Sequence, residues 1–399
     1  MLTGRPAPNE AGLFGLRSSY DGEDPVPESD FFPSTSFEYT YPLMLPVMLH
    51  RSTVALRNTL LSPIRSVAPH GRVRITGFIQ HSNSNPGIAA TTIAPMSSQE
   101  RTHAKVPLSQ RLPPGSWDSH MHTFEPDRFP LASTAFYTPK THTLEEAMEF
   151  ESSVGIPNIV LVQPSGYGND NSCLLDVLRR LGPSRSRGVV QFDPDATSME
   201  TLREWHELGV RGVRINLYSV GKTVPAEELE AILRRYADAV RPLGWVIQVY
   251  VALHTVQTLE SIVPTLGVPF CIDHLGQPSL PEGPADPSKP IDPYSLPGFS
   301  SLLRLLEAGH TFVKLSAAYR SSKRPDLSDW EPLAREVIRV GGKTRVVFAT
   351  DWPHTRFDGL DIRPFMEKVL DWCGEDAYLA ERLFRGNAED LWGVTQVSN

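Results

Sequence analysis

From Trp117 onward the chain switches regularly between two hydrophobic periods. Short runs rich in Val, Ile and Phe, apolar at nearly every position, are followed by longer stretches with apolar residues every three or four positions. The first pattern is that of strands buried on both faces, the second that of amphipathic helices. Strands are predicted at 116–122, 157–165, 187–194, 210–218, 245–251, 270–276, 311–320 and 345–353. Helices are predicted between and after them at 144–153, 172–182, 199–209, 226–240, 255–267, 299–309, 330–342 and 362–373. Eight such units in about 280 residues match a closed (β/α)8 TIM barrel, placed at residues 115–397. An open doubly wound sheet would carry a glycine-rich phosphate turn after its first strand, and none is present. Six prolines from Pro281 to Pro297 follow the sixth strand. They predict a long, stiff loop on the face of the barrel where the strands end.

Residues 1–114 show neither period and are expected to be a largely disordered extension. An acidic, Pro- and Ser-rich lead precedes a stretch from Tyr39 to Gln99 that contains no Asp or Glu. Two expectations for the extension are a dispensable tail and an overlong start, with the true one at Met96. A third is a mitochondrial transit peptide beginning at Met44 or Met48, since the residues after them are rich in Arg and Ser and free of acid.

Composition narrows the function. Among 399 residues the formal net charge is −8, which disfavours a partner bound by phosphate neutralisation, so no nucleic acid is expected. No apolar run reaches the roughly 18 residues of a membrane span, so no membrane partner is expected either. Cys173, Cys271 and Cys373 are too few and too scattered for a disulfide framework or a zinc knuckle. A reducing, cytoplasmic setting is the default.

In such a barrel the chemistry lies at the strand ends. Read there, the chain offers His120, His122, Ser165, Arg214, Tyr250, His274, Arg320 and Asp351. His120 and His122, two apart on a strand, point the same way, as a metal pair or as two donors to a carbonyl oxygen. Asp351, before Trp352-Pro353, is held where the sheet must break and is suited to take a proton from water. Arg214 and Arg320 read as binders of a substrate carboxylate, a structural ion pair being the competing role. Lys314 is expected to supply charge from behind.

The strings DSHMH, DHLG, KLSAAYR and ATDWPH, in that order on those strands, resemble the amidohydrolase superfamily. The branch they most resemble is that of the 2-pyrone-4,6-dicarboxylate lactonases and sugar lactonases. The resemblance covers about residues 115–395 and implies hydrolysis of a lactone or similar activated cyclic ester of a carboxylated small molecule. It implies Asp351 as base, His120, His122 and His274 as activators of the carbonyl, and Arg214, Arg320, Tyr250, Ser165 and Tyr137 as substrate contacts.

Members that bind two metals carry a strand-four lysine and a strand-five histidine. Here those places hold Arg214 and Tyr250, with His254 a weak substitute four residues on. No cofactor is therefore expected, and a single zinc, if bound, would sit on His120, His122, His274 and Asp351. That variant corresponds to a zinc-dependent non-oxidative decarboxylase of the same superfamily. A third reading is a barrel that merely binds a carboxylate. One departure is that a second arginine of the dicarboxylate lactonases is missing after the fourth strand, where Val220 and Lys222 stand.

Overall fold

The structure, a computed structural model, describes residues 106–282 and 290–394. The expectations for the acidic lead, the start sites and the transit peptide lie outside the described residues, as does 283–289 of the proline-rich segment.

Eight parallel strands pair in chain order: β1 (Trp117–Met121), β2 (Asn158–Val162), β3 (Ser186–Val190), β4 (Val210–Asn216), β5 (Val246–Tyr250), β6 (Phe270–Ile272), β7 (Thr311–Leu315) and β8 (Val346–Phe348). The sheet curls until its last strand meets its first. His122 N–H donates to the Trp352 carbonyl and Asp351 N–H to the His120 carbonyl, each at 2.9 Å. The buried Asp118 carboxylate reinforces this seam, accepting the Thr350 N–H at 2.9 Å and the His120 N–H at 3.0 Å. This is a TIM barrel, as the two periods predict.

The helices are α1 (Leu108–Arg111), α2 (Leu144–Val154), α3 (Ser172–Leu181), α4 (Met199–Leu208), α5 (Ala226–Val240), α6 (Val256–Ile262), α7 (Phe299–Glu307), α8 (Glu331–Gly341), α9 (Arg363–Cys373), α10 (Ala377–Glu381) and α11 (Asn387–Leu391). Those from α2 to α9 are the eight expected ones. α6 is shorter than its pattern because Pro264, lacking an N–H, tightens the chain into a 3-10 turn over Val263–Thr265. No helix of the described residues is long and apolar enough to cross a membrane.

Folded structure begins earlier than the sequence pattern indicates. Within 106–114, α1 buries Leu108, and Leu112 enters the core just after it. α1 lies across the end of α2, where Gly155 has φ +85° and a Cβ would come within 2.6 Å of the Ser109 Cα. Only glycine meets both demands there.

Alternation along the strands sorts the barrel interior into layers. Trp117, Val160, Val189, Val246, Phe312 and Val347 form an apolar layer with Trp392, carried by the residues just after α11. Trp392 is fully buried, its indole N–H 3.4 Å from the Ser119 hydroxyl and its ring 5.4 Å from Lys314 Nζ. Asn387 holds α11 in place through the carbonyls of Gly342 and Val346, at 2.8 and 2.7 Å. Next to this apolar layer is a polar one.

Candidate active site

The polar layer is built from inward positions of β4, β5 and β7 and the turn after β6. Lys314 on β7 is fully buried; its Nζ donates to Gln248 Oε1 at 2.7 Å and lies 3.2 Å from both Asp273 Oδ1 and His120 Nδ1. Gln248 on β5 returns a hydrogen bond to Asp273 Oδ2 at 3.0 Å. Arg214 on β4 has its Nε 3.7 Å from the same oxygen and donates from Nη1 to the Gln163 carbonyl at 2.9 Å. Burial would raise the Asp273 carboxyl, but Lys314 foremost outweighs it and holds the group well below the ordinary carboxylate range.

Above this layer sit the three predicted histidines and Asp351, all buried. His120 Nε2 and His122 Nε2 are 3.3 Å apart. Asp351 Oδ1 lies 3.7 Å from His120 Nε2, 3.9 Å from His122 Nε2 and 3.8 Å from His274 Nε2. The other carboxylate oxygen is occupied: Oδ2 accepts the Tyr319 hydroxyl at 2.7 Å and Arg320 Nε at 2.8 Å. Burial alone would raise this carboxyl too; Arg320 is the first of the charges that hold it well below its usual range. His274 and Asp351 lie not on strands but on left-handed turns just past them, with φ of +53° and +64°. Backbone strain of this kind at non-glycine residues accompanies functional sites.

Burial lowers all three imidazoles, His122 to about 3, His274 to about 4 and His120 well below its ordinary value, so each is neutral at pH 7. His122 Nδ1 lies 2.7 Å from the Val162 carbonyl, which only accepts. The single ring proton is therefore on Nδ1, and Nε2 presents a lone pair. In that tautomer the His122 atom that faces the site accepts a hydrogen bond rather than donating one. His120 Nδ1 faces both Lys314 Nζ at 3.2 Å and Asp273 Oδ1 at 3.3 Å, so either ring nitrogen can carry its proton, and His274, whose Nδ1 is 2.8 Å from the Ser316 hydroxyl, can carry its own on Nε2.

The remaining predicted residues divide. Arg214 is buried and lines a cavity of about 390 Å³ with Asn169, Gln191, Asn216 and Lys222, a cavity that none of the three histidines lines. Arg320 departs from its expected place. β7 ends at Leu315, Ala317 turns left-handed at φ +52°, and Arg320 closes the next 3-10 turn with Nε on Asp351. The ion pair, not an open carboxylate site, is what Nε makes. Tyr250 donates to Gln277 Oε1 at 2.9 Å and sets its ring edge-on to His274 at 4.9 Å. Ser165 begins the turn after β2, and Tyr137 lies on the β1–α2 loop under the Arg356 guanidinium. No hydrogen bond joins either to the cluster among the described residues. His254 is exposed on the turn after β5, and Val220 is exposed as well.

Asp273, Gln248 and Tyr319 join the site without having been expected there. Gln248 shares parity with Tyr250, so its inward aim was available in the sequence; Tyr319, on a turn, gave no such signal.

The ligand atoms also pass a test for a metal. Those of His120, His122 and Asp351 lie within 4.8 Å of one another, as do those of His120, Asp273 and His274. A tetrahedral ion with bonds of roughly 2.0–2.1 Å needs donors about 3.3 Å apart, the His120–His122 spacing.

Fold and site together define a TIM barrel with an imidazole–carboxylate centre where its strands end. The family model described as Amidohydrolase matches residues 117–394, and the chain belongs to that family. It is 33% identical over 254 residues to a 4-sulfomuconolactone hydrolase of Hydrogenophaga intermedia, covering 63% of this chain and 78% of the relative. A 2-pyrone-4,6-dicarboxylate hydrolase of Comamonas testosteroni is 29% identical, over 72% of this chain and 93% of its own. A solved structure from Pseudomonas putida, assigned as a 2-pyrone-4,6-dicarboxylic acid hydrolase, superposes with a TM-score of 0.58 at 29% identity, over 71% of this chain and 98% of that one.

Proposed function

We propose that this protein opens a lactone, or a similar activated cyclic ester, of a carboxylated small molecule by direct attack of water. The observation that carries the reading is the asymmetry of Asp351, one oxygen tied by Tyr319 and Arg320 and the other facing three imidazoles. In this reading Asp351 Oδ1 takes the proton of the attacking water, oriented by the His122 Nε2 lone pair, and returns it to the ring oxygen as the ring C–O bond breaks. His120 and His274 donate from Nε2 to the carbonyl oxygen as negative charge develops there. Arg214 anchors the substrate carboxylate. The names of the relatives, lactone hydrolases, support the same substrate class.

His120, His122, His274 and Asp351 are the residues that would hold a metal ion, which when bound would polarise the carbonyl and acidify water. We propose that turnover does not require it. With neutral imidazoles, the groups around the centre are three cations, Lys314, Arg214 and Arg320, and two anions, Asp273 and Asp351. The net +1 already suits an anionic substrate and its oxyanion, and a dication would have to join three cations.

The test is a panel of carboxylated lactones offered to protein that has been chelated and desalted, with acid release read by a pH dye. Release of acid without added metal is expected. Activity only after stoichiometric zinc would overturn the metal-free part, and carbon dioxide release without ring opening would establish the decarboxylase reading instead.

A further inference from the structure

Among the described residues seven large apolar side chains are exposed, and four of them, Phe136, Tyr218, Val220 and Phe357, stand on the loops after β1, β4 and β8. Loops in those positions surround the mouth above the imidazoles. Three of the four are aromatic, and each touches a tyrosine nearer the centre. Tyr218 lies 5.1 Å from Tyr250, whose ring meets His274. Phe357 lies 4.8 Å from Tyr319, whose hydroxyl is bonded to Asp351. Phe136 lies 5.1 Å from its neighbour Tyr137, and the Arg356 guanidinium from the β8–α9 loop stacks on both rings, at 5.2 and 5.1 Å. Each exposed ring thus backs onto a tyrosine, and we call the tyrosines the inner tier and the exposed rings the outer one.

Single exposed rings are ordinary on a protein surface, but these three stand on loops of the barrel face where ligands bind. An occupant of the outer tier would be only one ring's contact away from Asp351 and His274. That spacing selects a substituent of the reacting molecule rather than a separate partner. The guanidinium of Arg320 lies 5.3 Å from the Phe357 ring and 5.1 Å from Tyr319, so one planar group already packs on these rings, as a flat substituent would on their other faces.

We propose that the substrate carries an aryl or other flat unsaturated substituent that leaves the lactone ring outward and is held among Phe136, Tyr218 and Phe357. The proposal rests on the lactonase reading and adds the shape of the molecule that reading leaves open.

Binding, rather than turnover, tests it. A γ-hydroxy carboxylate bearing a phenyl group, as a phenyl-substituted lactone would yield on opening, is titrated into the protein by calorimetry beside the same acid without the phenyl. The phenyl compound should bind roughly 3- to 10-fold more tightly, the size of one or two aromatic contacts. Phe136→Ala and Phe357→Ala, each checked for an unchanged melting temperature, should each reduce that ratio at least about threefold. Should Phe357→Ala melt early, Phe357→Leu replaces it, keeping bulk while removing the ring. Equal affinity for the two acids, or a ratio that survives both substitutions, overturns the proposal. Failure to hydrolyse any lactone is a separate result and strikes the functional reading alone.

Discussion

Asp351 uses its two oxygens differently, and this sets what its neighbours can do. Arg320 occupies Oδ2 and depresses the carboxyl, whereas Arg214 meets Asp273 behind the centre and lines the adjoining cavity. The two arginines should therefore fail in different ways. Arg214→Met should raise KM by the 10- to 150-fold that corresponds to about 1.5–3 kcal/mol for a charge-assisted hydrogen bond. Arg320→Met should act mainly on kcat and move the acidic limb of the pH–rate profile upward, because the charge holding the base down is gone. Steady-state kinetics across pH decides it; a rise in KM alone for Arg320→Met would return that residue to the substrate. Much at this scale was legible in the sequence. The spacing of His120 and His122 and the positions of His274 and Asp351 marked the centre. The partner of Arg320 was not legible, because strand parity ceases at Leu315 and a left-handed Ala317 re-aims the turn that carries Tyr319 and Arg320. Nor was the His122 tautomer, which depends on a carbonyl forty residues away.

Elements with a long period show themselves in the sequence, and short ones do not. α2 to α9 are long enough to show a helical period, and the strands, even the three-residue β6 and β8, show as apolar runs that need no period. α1, α10 and α11 span four or five residues each, too few for a helical period to appear. They matter all the same, since α1 packs across the end of α2, and α11 precedes Trp392 in the apolar layer. A chain beginning at Val106 should keep the stability of the barrel. One beginning at Pro113 loses Leu108 and Leu112, two buried leucines at roughly 1.5–3 kcal/mol each. The thermal midpoints of the two truncations, compared directly, check this; equal midpoints would mean that α1 contributes no packing energy.

Over the whole molecule, burial has gathered titratable groups that fold in their uncharged forms. His122, His274 and His354 fall to about 3, 4 and 4, and His120 falls well below 6.5. Below 6.5 the unfolded chain takes up protons on these residues that the folded one refuses until near pH 4. Each thus contributes stability that is lost on acidification across that window, up to about 1.4 kcal/mol per pH unit. Glu151 opposes them. Burial, then the neighbouring Asp118, holds its carboxyl well above 4.5, so its contribution is complete at low pH and is lost as pH rises. Chemical denaturation from pH 4 to 8 should show stability climbing to about pH 6.5 and flattening beyond. Glu151→Gln, of the same shape but without the proton to lose, should gain on the wild type above pH 7. A flat wild-type profile, or no gain in the variant, would mean that these groups are solvated in the folded state.

Every role proposed for this centre depends on Asp351 removing a proton from water. The most direct test of that step is the turnover of a hydrolysed lactone by Asp351→Asn beside the wild type, with the fold confirmed by melting temperature. The amide keeps the size of the side chain but cannot accept the proton, so kcat should fall at least about 100-fold. A well-folded Asp351→Asn protein with near wild-type kcat would mean that Asp351 is not the base.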